Sequence, residues 1–596
     1  MKYVRYILWV FATAALLLWL AHKAQTPLAD NQQLSKRVQQ EAAPYPAHFE
    51  ERLSRLQKTS VTLHAESELP DGLVWHTGSP TPPIGSPNAR KGGTLRMSNV
   101  GPFPANFLAF GSTTPQFFHY NLFECIDIPL VREHPSTGQE IPGVAEAWSQ
   151  QGDVIFFRLN PGARYSNGCP VRARDYALAA LLRAQCHCEL PVKSLRTYGD
   201  QYLAIQMETS GYKPVITAGK VLTPAEPGFY AEFAGNYAEL YAQRIPPTTG
   251  AYSITEIQRG RLIVLQKVPE WWASDLPGFR YTHNVERIEH HFLTDEAQVW
   301  EMFIGGKLDI LQTRNVSAWQ HKLDGVPEAE DGRIILHSLK IEQPMPPYGI
   351  ALNTRTLKNR ELRKGILQAL DMNRVVDIIF RGYAERMPQF TVGYRHINHR
   401  SPQYHYDPLS ARASFKRAGY TQTGADGILR KPNGEKLSIR FSFTPSEKLN
   451  TIATLLAQSA AACGAEIISE PLPWQNISRQ LENGSHELTF WATMPGQPLP
   501  NYERFFHSNA SGYDAPFALN SGEMDKAIAE AQQATTTEEV AKACAQIDEL
   551  IYCEAIWLPG WMENRANIAT WQHVHLPESY FGPYDIAESH QLWVSP

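Results

Sequence analysis

Apolar and polar positions follow two rhythms along this chain. An apolar, strand-like run ends at Leu159 and gives way to dense turn chemistry: Pro161-Gly162, Ser166-Asn167-Gly168 and Cys169-Pro170. Residues 171–184 then repeat at helical spacing, with Arg and Asp on the outer face. The order strand, turn, helix recurs downstream. Residues 251–257 and 261–268 alternate around Gly260 and predict a hairpin. Residues 297–305 predict a short amphipathic helix. Residues 357–382 predict a longer one, with Leu362, Ile366, Leu367, Leu370 and Val375 on one stripe. A helix over 410–418 is closed by Gly419. Strand 438–443, helix 449–463 and strand 466–470 form a βαβ-like unit. Residues 523–550 read as helical, and the tail reads as β with several Trp. Upstream, Lys91-Gly92-Gly93 leads into the alternating run 94–100, where the folded body is expected to begin. Residues 31–58 are polar, with a helix broken at Pro44 and Pro46, and 79–89 are a Pro-rich linker or surface wrap. Mixed strands and helices without a repeat predict an α/β fold.

The first residues follow a different plan. Lys2 and Arg5 precede an apolar run from Ile7 to Ala21, broken only by Thr13. This charge-then-apolar order is that of an export signal. Its 15 residues fall short of the about 20 needed to span a bilayer. A cut after Ala24 would place His22 at the −3 position, so an uncleaved N-terminal anchor stays open beside a cleaved signal. With no Cys near the end of the run, a lipoprotein anchor is excluded. Either way the bulk of the chain is expected outside the cytoplasm.

Length and composition describe a globular protein of more than one unit: 596 residues, 43% hydrophobic and 19% charged. A formal net charge of −5 offers no basic face for nucleic acid. The 14 Trp and 25 Tyr either fill cores or line ligand clefts. Seven Cys are too few for a disulfide scaffold. Cys186-His187-Cys188 has no second pair at zinc-site spacing, so no metal is expected. A local disulfide from Cys169 to Cys186 or Cys188 would suit an oxidising compartment. Cys544 and Cys553, about 13 Å apart along one helix, are too distant to bridge and are expected to be buried.

Motifs with a chemical reason for their spacing are missing. There is no phosphate loop, no GxGxxG, no GxSxG elbow and no HExxH. His290-His291 are adjacent, so on a strand one points in and the other out. An enzyme and a cofactor are not expected.

Several stretches, taken together, resemble extracellular solute-binding protein family 5, the peptide-binding class of ABC-importer binding proteins. Residues 158–171 resemble its signature, a strand ending in L-R-P-G followed by [FY]-S-[DN]-G-x-P-[VL], with Asn160 and Cys169 as variants. GVAEAW at 143–148, the hairpin with TTGAY and VPEWW, Lys307-Leu308-Asp309, and the runs 348–376 and 406–420 are similar to further family elements in the same order. Residues 275–310 resemble the YejA-like branch. The resemblance implies a two-lobed, hinged α/β fold (a Venus flytrap of type II, cluster C) with mixed sheets and an extra subdomain in lobe I. It implies a signal or anchor at 1–24 and a polar extension at 25–91. Lobe I would take 92–122 and 245–335, its extra subdomain 123–244, lobe II 336–555, and residues 556–596 would return to lobe I. The implied function is capture of an oligopeptide or peptide-like solute by a monomer, for delivery to permease subunits. A non-peptide solute, or an anchored chaperone-like or regulatory role on the same fold, stays open. By position, Trp474, Arg479, Trp491 and Trp561 would line the cleft. Met494 falls where peptide-binding members carry an Asp that holds the ligand's ammonium. A thioether cannot do this, so Glu503 or another carboxylate would have to substitute.

Overall fold

The computed structural model describes residues 44–56, 59–109, 123–186, 190–209, 211–235, 237–312, 322–340, 344–395, 397, 399–493, 499–563, 565–578 and 590–595. The expected signal or anchor at 1–24 lies outside them, as do Cys188 and Met494. No helix among the described residues is long and apolar enough to cross a membrane.

The first lobe begins earlier than the alternation at 94–100 suggests. Helix α1 (Phe49–Ser54) leads to strand β1 (Ser60–His64), and β2 (Thr94–Val100) follows. A five-stranded sheet collects β1, then β3 (Ala145–Gln151), β4 (Val154–Leu159), β5 (Val192–Tyr198) and β6 (Tyr202–Met207) in the order β1-β5-β6-β4-β3. β1 pairs in parallel with β5, Ser60 opposite Ser194. The N-terminal stretch is therefore built into the lobe, and Tyr45 Oη donates to Asp175 Oδ1 at 2.7 Å to fix it further. The Pro-rich stretch is a tied-down wrap: Ile84 and Ser86 are buried, and Pro82 O accepts from His134 Nε2 at 2.9 Å.

The turn-rich stretch after Leu159 converts β4 into helix α2 (Ala173–Gln185). Asn160 Oδ1 accepts from Gly162 N at 2.8 Å, and Asn167 Oδ1 accepts from Cys169 N at 3.1 Å. Gly168 holds φ +86°, a left-handed conformation that glycine adopts without strain. Asp175, in the first turn of α2, accepts from Arg172 N at 2.9 Å and caps the helix. Cys169 and Cys186 both carry free thiols here, and Cys188, the other partner expected, lies outside the described residues. The Cys169 sulfur is half-buried beside Glu226, and burial together with that carboxylate pushes the thiol up to about 11. Of the other pair, Cys544 is buried but Cys553 only partly so.

After α3 (Pro214–Lys220), the hairpin of β7 (Tyr252–Gln258) and β8 (Leu262–Lys267) joins β9 (Arg287–Leu293) and β2 in a sheet of order β2-β9-β8-β7. On β9, His290 is buried and His291 half-buried, as alternation requires. Helix α4 (Glu296–Ile304) leads to β10 (Ile310–Gln312) and β11 (Ile334–Lys340).

The second lobe starts at β12 (Tyr348–Leu352). The stripe over 357–382 forms two helices, α5 (Arg360–Ala369) and α6 (Met372–Phe380). They part because Asp371 Oδ1 accepts from Arg374 N at 3.0 Å and caps a new helix. The short β13 (Glu385–Arg386) and α7 (Pro408–Arg417) follow. The βαβ unit is β14 (Ser438–Phe443), α8 (Glu447–Ala462) and β15 (Glu466–Pro471), with the strands parallel. Next come α9 (Trp474–Glu482), β16 (Leu488–Ala492) and α10 (Tyr502–Phe506). The helical run over 523–550 is also divided, into α11 (Gly522–Gln533) and α12 (Thr537–Glu554), by a capping box between Thr536 and Glu539. Three strands close the lobe and return the chain: β17 (Trp557–Pro559), β18 (Trp561–Met562) and β19 (Arg565–Trp571).

The second lobe's sheet has the order β15-β14-β16-β12-β17 and separates two cores. Ile350, Leu352, Leu488 and Leu558 face α6 and α8, whereas Ala351, Trp491 and Trp557 face α11 and α12. The two-residue period of the strands alone makes this division.

Candidate functional site

Strand directions locate the edge of the second lobe that faces the first. β14 runs parallel to β15 and β16, while β12 runs against both β16 and β17. The carboxyl ends of β14, β15, β16 and β17 therefore share one edge with the start of β12. The chain enters the lobe at that edge, before Tyr348, and leaves it there, after Pro559. The two connections run side by side, since β11 pairs antiparallel with β19 and Lys340 sits opposite Arg565. Arg565 Nε donates to Ser338 Oγ and Nη2 to Ser338 O, both at 2.7 Å, which braces the crossing. The carboxyl edge of a largely parallel sheet is where ligands of α/β proteins bind. Here it looks onto the other lobe across a two-stranded hinge.

The candidate residues divide against this geometry. Trp474 opens α9 directly beyond β15, on the edge itself, with 52% of its surface exposed. Arg479 is exposed on the same helix, but five residues on it points about 140° away around the axis. Trp491 is only 7% exposed. It stacks on Phe390 with ring centres 6.2 Å apart and meets the edges of Phe505 and Phe517 at 4.8 and 5.5 Å. Trp561, 4% exposed, lies on the opposite face. It stacks with Phe490 at 5.4 Å and Tyr348 at 5.9 Å and touches Phe380 at 5.0 Å. The structure thus does not bring Trp491 and Trp561 together. Met494 lies outside the described residues, two positions beyond the end of β16. Glu503 is exposed on α10 and accepts from Gln532 Nε2 at 2.5 Å.

Two groups at this edge escape a reading of the sequence alone. Tyr348 begins β12 beside the hinge, and Lys448, in the first turn of α8, holds its Nζ 5.7 Å from the Trp561 ring centre. Only strand order reveals them, because residues 348, 448 and 561 share no motif.

Beneath Trp491 lies a buried polar network. Asp548 Oδ2 accepts from His399 Nε2 at 2.9 Å and from Thr391 Oγ1, and Gln389 Nε2 donates to Thr391 O at 2.9 Å. Burial pushes the Asp548 carboxyl up, and His399 and Thr391 oppose that shift. The network fixes the segment that carries Phe390, and through Phe390 the ring at the end of β16.

Comparison with known proteins agrees with this architecture. Residues 139–513 match the model of bacterial extracellular solute-binding proteins, family 5 Middle. The chain belongs to this family. A putative binding protein of Brucella melitensis, BMEII0691, is 24% identical over 353 residues, 56% of each chain. The chain spans little more than half the length of such Brucella relatives. Peptidoglycan-binding protein YepA of Agrobacterium fabrum is 21% identical over 87% of this chain and 92% of its own. YejA of Escherichia coli is 23% identical over 50% of this chain and 49% of its own. The fold is that of the oligopeptide-binding protein AppA from Bacillus subtilis, solved with a nonapeptide (TM-score 0.66, 15% identity, covering 85% of this chain and all of that one). NikA from Brucella suis, solved with Fe(III)-EDTA, gives a TM-score of 0.68 at 19% identity, covering 84% of this chain and all of that one. The family 5 solute-binding fold is two-lobed, in keeping with the separate sheets on either side of the double crossing.

Proposed function

We propose that this protein captures an oligopeptide or peptide-like solute between its lobes, outside the cytoplasm, and delivers it to the permease of an ABC importer. One observation carries the reading: the carboxyl edge of the second lobe's sheet, with Trp474 exposed on it, opens onto the first lobe across a two-stranded hinge. An exposed Trp at a cleft edge costs solvation in the free protein and regains it on covering a ligand. Two comparisons favour peptide-like chemistry: a nonapeptide in AppA, and the peptidoglycan-binding relative, since peptidoglycan carries short peptides. Solute contacts to both lobes shift an open–closed equilibrium toward closure, and no chemical step is needed.

The group assigned to the solute on this edge is Trp474, with Arg479 and Met494 assigned by their positions in the family alone and Trp491 and Trp561 on the strands behind. Met494 supplies no charge, so an ammonium would have to be met elsewhere. The experiment is a tryptophan-fluorescence titration of ligand-stripped protein with short peptides, free and N-acylated, and with peptides released from peptidoglycan. Saturable binding of at least one class is expected, weakened in Trp474→Ala. No response to any peptide, combined with binding of Fe(III)-EDTA, would overturn the peptide assignment.

A further inference from the structure

Away from the hinge, the lobes meet at a second place. Residues 211–213 of the first lobe, immediately before α3, reach the corner between α11 and α12 of the second. The Tyr212 ring packs on the core that contains Trp491, Phe390 and Ile547. Its hydroxyl lies 3.3 Å from Thr537 Oγ1, in the first turn of α12. At Gly211 the backbone comes so close to the end of α11 that a Cβ would stand 2.8 Å from Gln532 O, a separation no side chain accepts. The arm itself is braced: Lys213 sits at φ +52°, and its Nζ donates to Glu133 Oε1 at 2.6 Å and to Gly138 O at 2.9 Å. Neither the Thr537 contact, the close approach to Gln532 nor the Lys213 brace uses a hinge residue or a residue assigned to the solute.

We propose that Tyr212 is a latch between the lobes, an affinity-determining residue that touches the opposite lobe instead of the solute. A half-buried ring packed across the contact between the lobes becomes solvent-exposed when they part there, so its burial favours closure with the cleft empty. The apparent dissociation constant for any solute is the intrinsic one divided by the fraction already closed. The latch therefore sets affinity for all solutes alike and leaves the choice among them to the cleft. Gly211 follows from the same geometry: a side chain there would wedge the corner open. This inference rests on reading the cleft as the solute site, but its test needs no solute.

The test is small-angle X-ray scattering on ligand-stripped full-length protein, with circular dichroism to establish folding. Tyr212→Ala should raise the open-to-closed ratio about tenfold, read as a larger radius of gyration. Tyr212→Phe, which keeps the ring and loses only the hydroxyl, should stay near wild type. Should Tyr212→Ala fail to fold, Gly211→Val poses the same question from the backbone and should open the protein as well. An unchanged radius of gyration in whichever of these two variants is folded would overturn the latch. Failure of every peptide to bind would instead sink the proposed function and leave the scattering result intact.

Discussion

The two lobes enclose carboxylates in opposite ways. In the first, Asp175 is fully buried and its partners are neutral: the hydroxyls of Tyr45 at 2.7 Å and Tyr165 at 2.8 Å, and Arg172 N at 2.9 Å. Burial, with Glu226 as a further negative neighbour, pushes its carboxyl up to about 7. In the second, Asp548 is as deeply buried but faces an imidazole, His399 at 2.9 Å. Nearby, the buried Arg363 reaches the Glu554 carboxylate at 3.3 Å and donates to Glu554 O at 2.7 Å. Desolvation raises both aspartates, and only one has a partner that can carry the opposite charge. A buried carboxyl of the first lobe thus changes charge near neutral pH, while the second lobe sets its buried carboxylate beside a group able to carry the opposite charge.

Four measurements can break or sharpen this contrast. The largest effect is expected from Asp548→Ala, which strips His399 and Thr391 of their shared acceptor and should cost about 3–5 kcal/mol in denaturant unfolding. A cost below about 1 kcal/mol would mean that the pair is not a pair in energetic terms.

Next comes the pH response of Asp175. Its proton is held more tightly folded than unfolded, so the stability it contributes is whole below its ordinary 3.8 and is lost as pH rises through about 7. Between pH 5 and 8 wild type should lose about 2 kcal/mol relative to Asp175→Asn, followed by urea melts at each pH. Parallel curves for the two proteins would sink the claim. His290 in the same lobe has the opposite sense, because burial pushes its imidazole down to about 4. It should remove stability as pH falls from 6.5 toward 4.

Tyr45→Phe deletes one donor to Asp175 and should cost about 1 kcal/mol, read as the unfolding of the first lobe. The smallest stability effect, within about 0.5 kcal/mol, is expected for the exposed Trp474→Ala, although that variant should bind peptides more weakly. Unaltered peptide affinity would remove Trp474 from the site.

Local order was legible in the residues, and distant order was not. The strand, turn and helix around Asn160–Cys169, the hairpin about Gly260 and the βαβ unit at 438–471 all follow from periodicity and turn chemistry. The helix breaks at Asp371 and Thr536 were signalled by good N-caps, but the unbroken apolar stripe masked both. β1 escaped because five residues carry little period, and its partner lies more than 130 positions away. The site suffered for the same reason. Whether Trp491 and Trp561 share a face depends on registers with β12 and β13, which no local pattern encodes. The neighbourhood of Cys169 also depends on distant chain: its sulfur lies beside Glu226, 57 positions on, which no local pattern encodes.

The placement of β19 has a consequence for how the chain is assembled. In the sheet of order β10-β19-β11, residues 565–571 form the middle strand. A ribosome or a translocation channel releases β10 and β11 some two hundred residues before the strand that joins them. Until then each presents an open row of backbone donors and acceptors, and β11 also shows Leu336, 49% exposed even in the finished fold. The lobe made first is therefore completed last. A chain cut short before Arg565 would carry a finished sheet in its second lobe and two adhesive strands in its first.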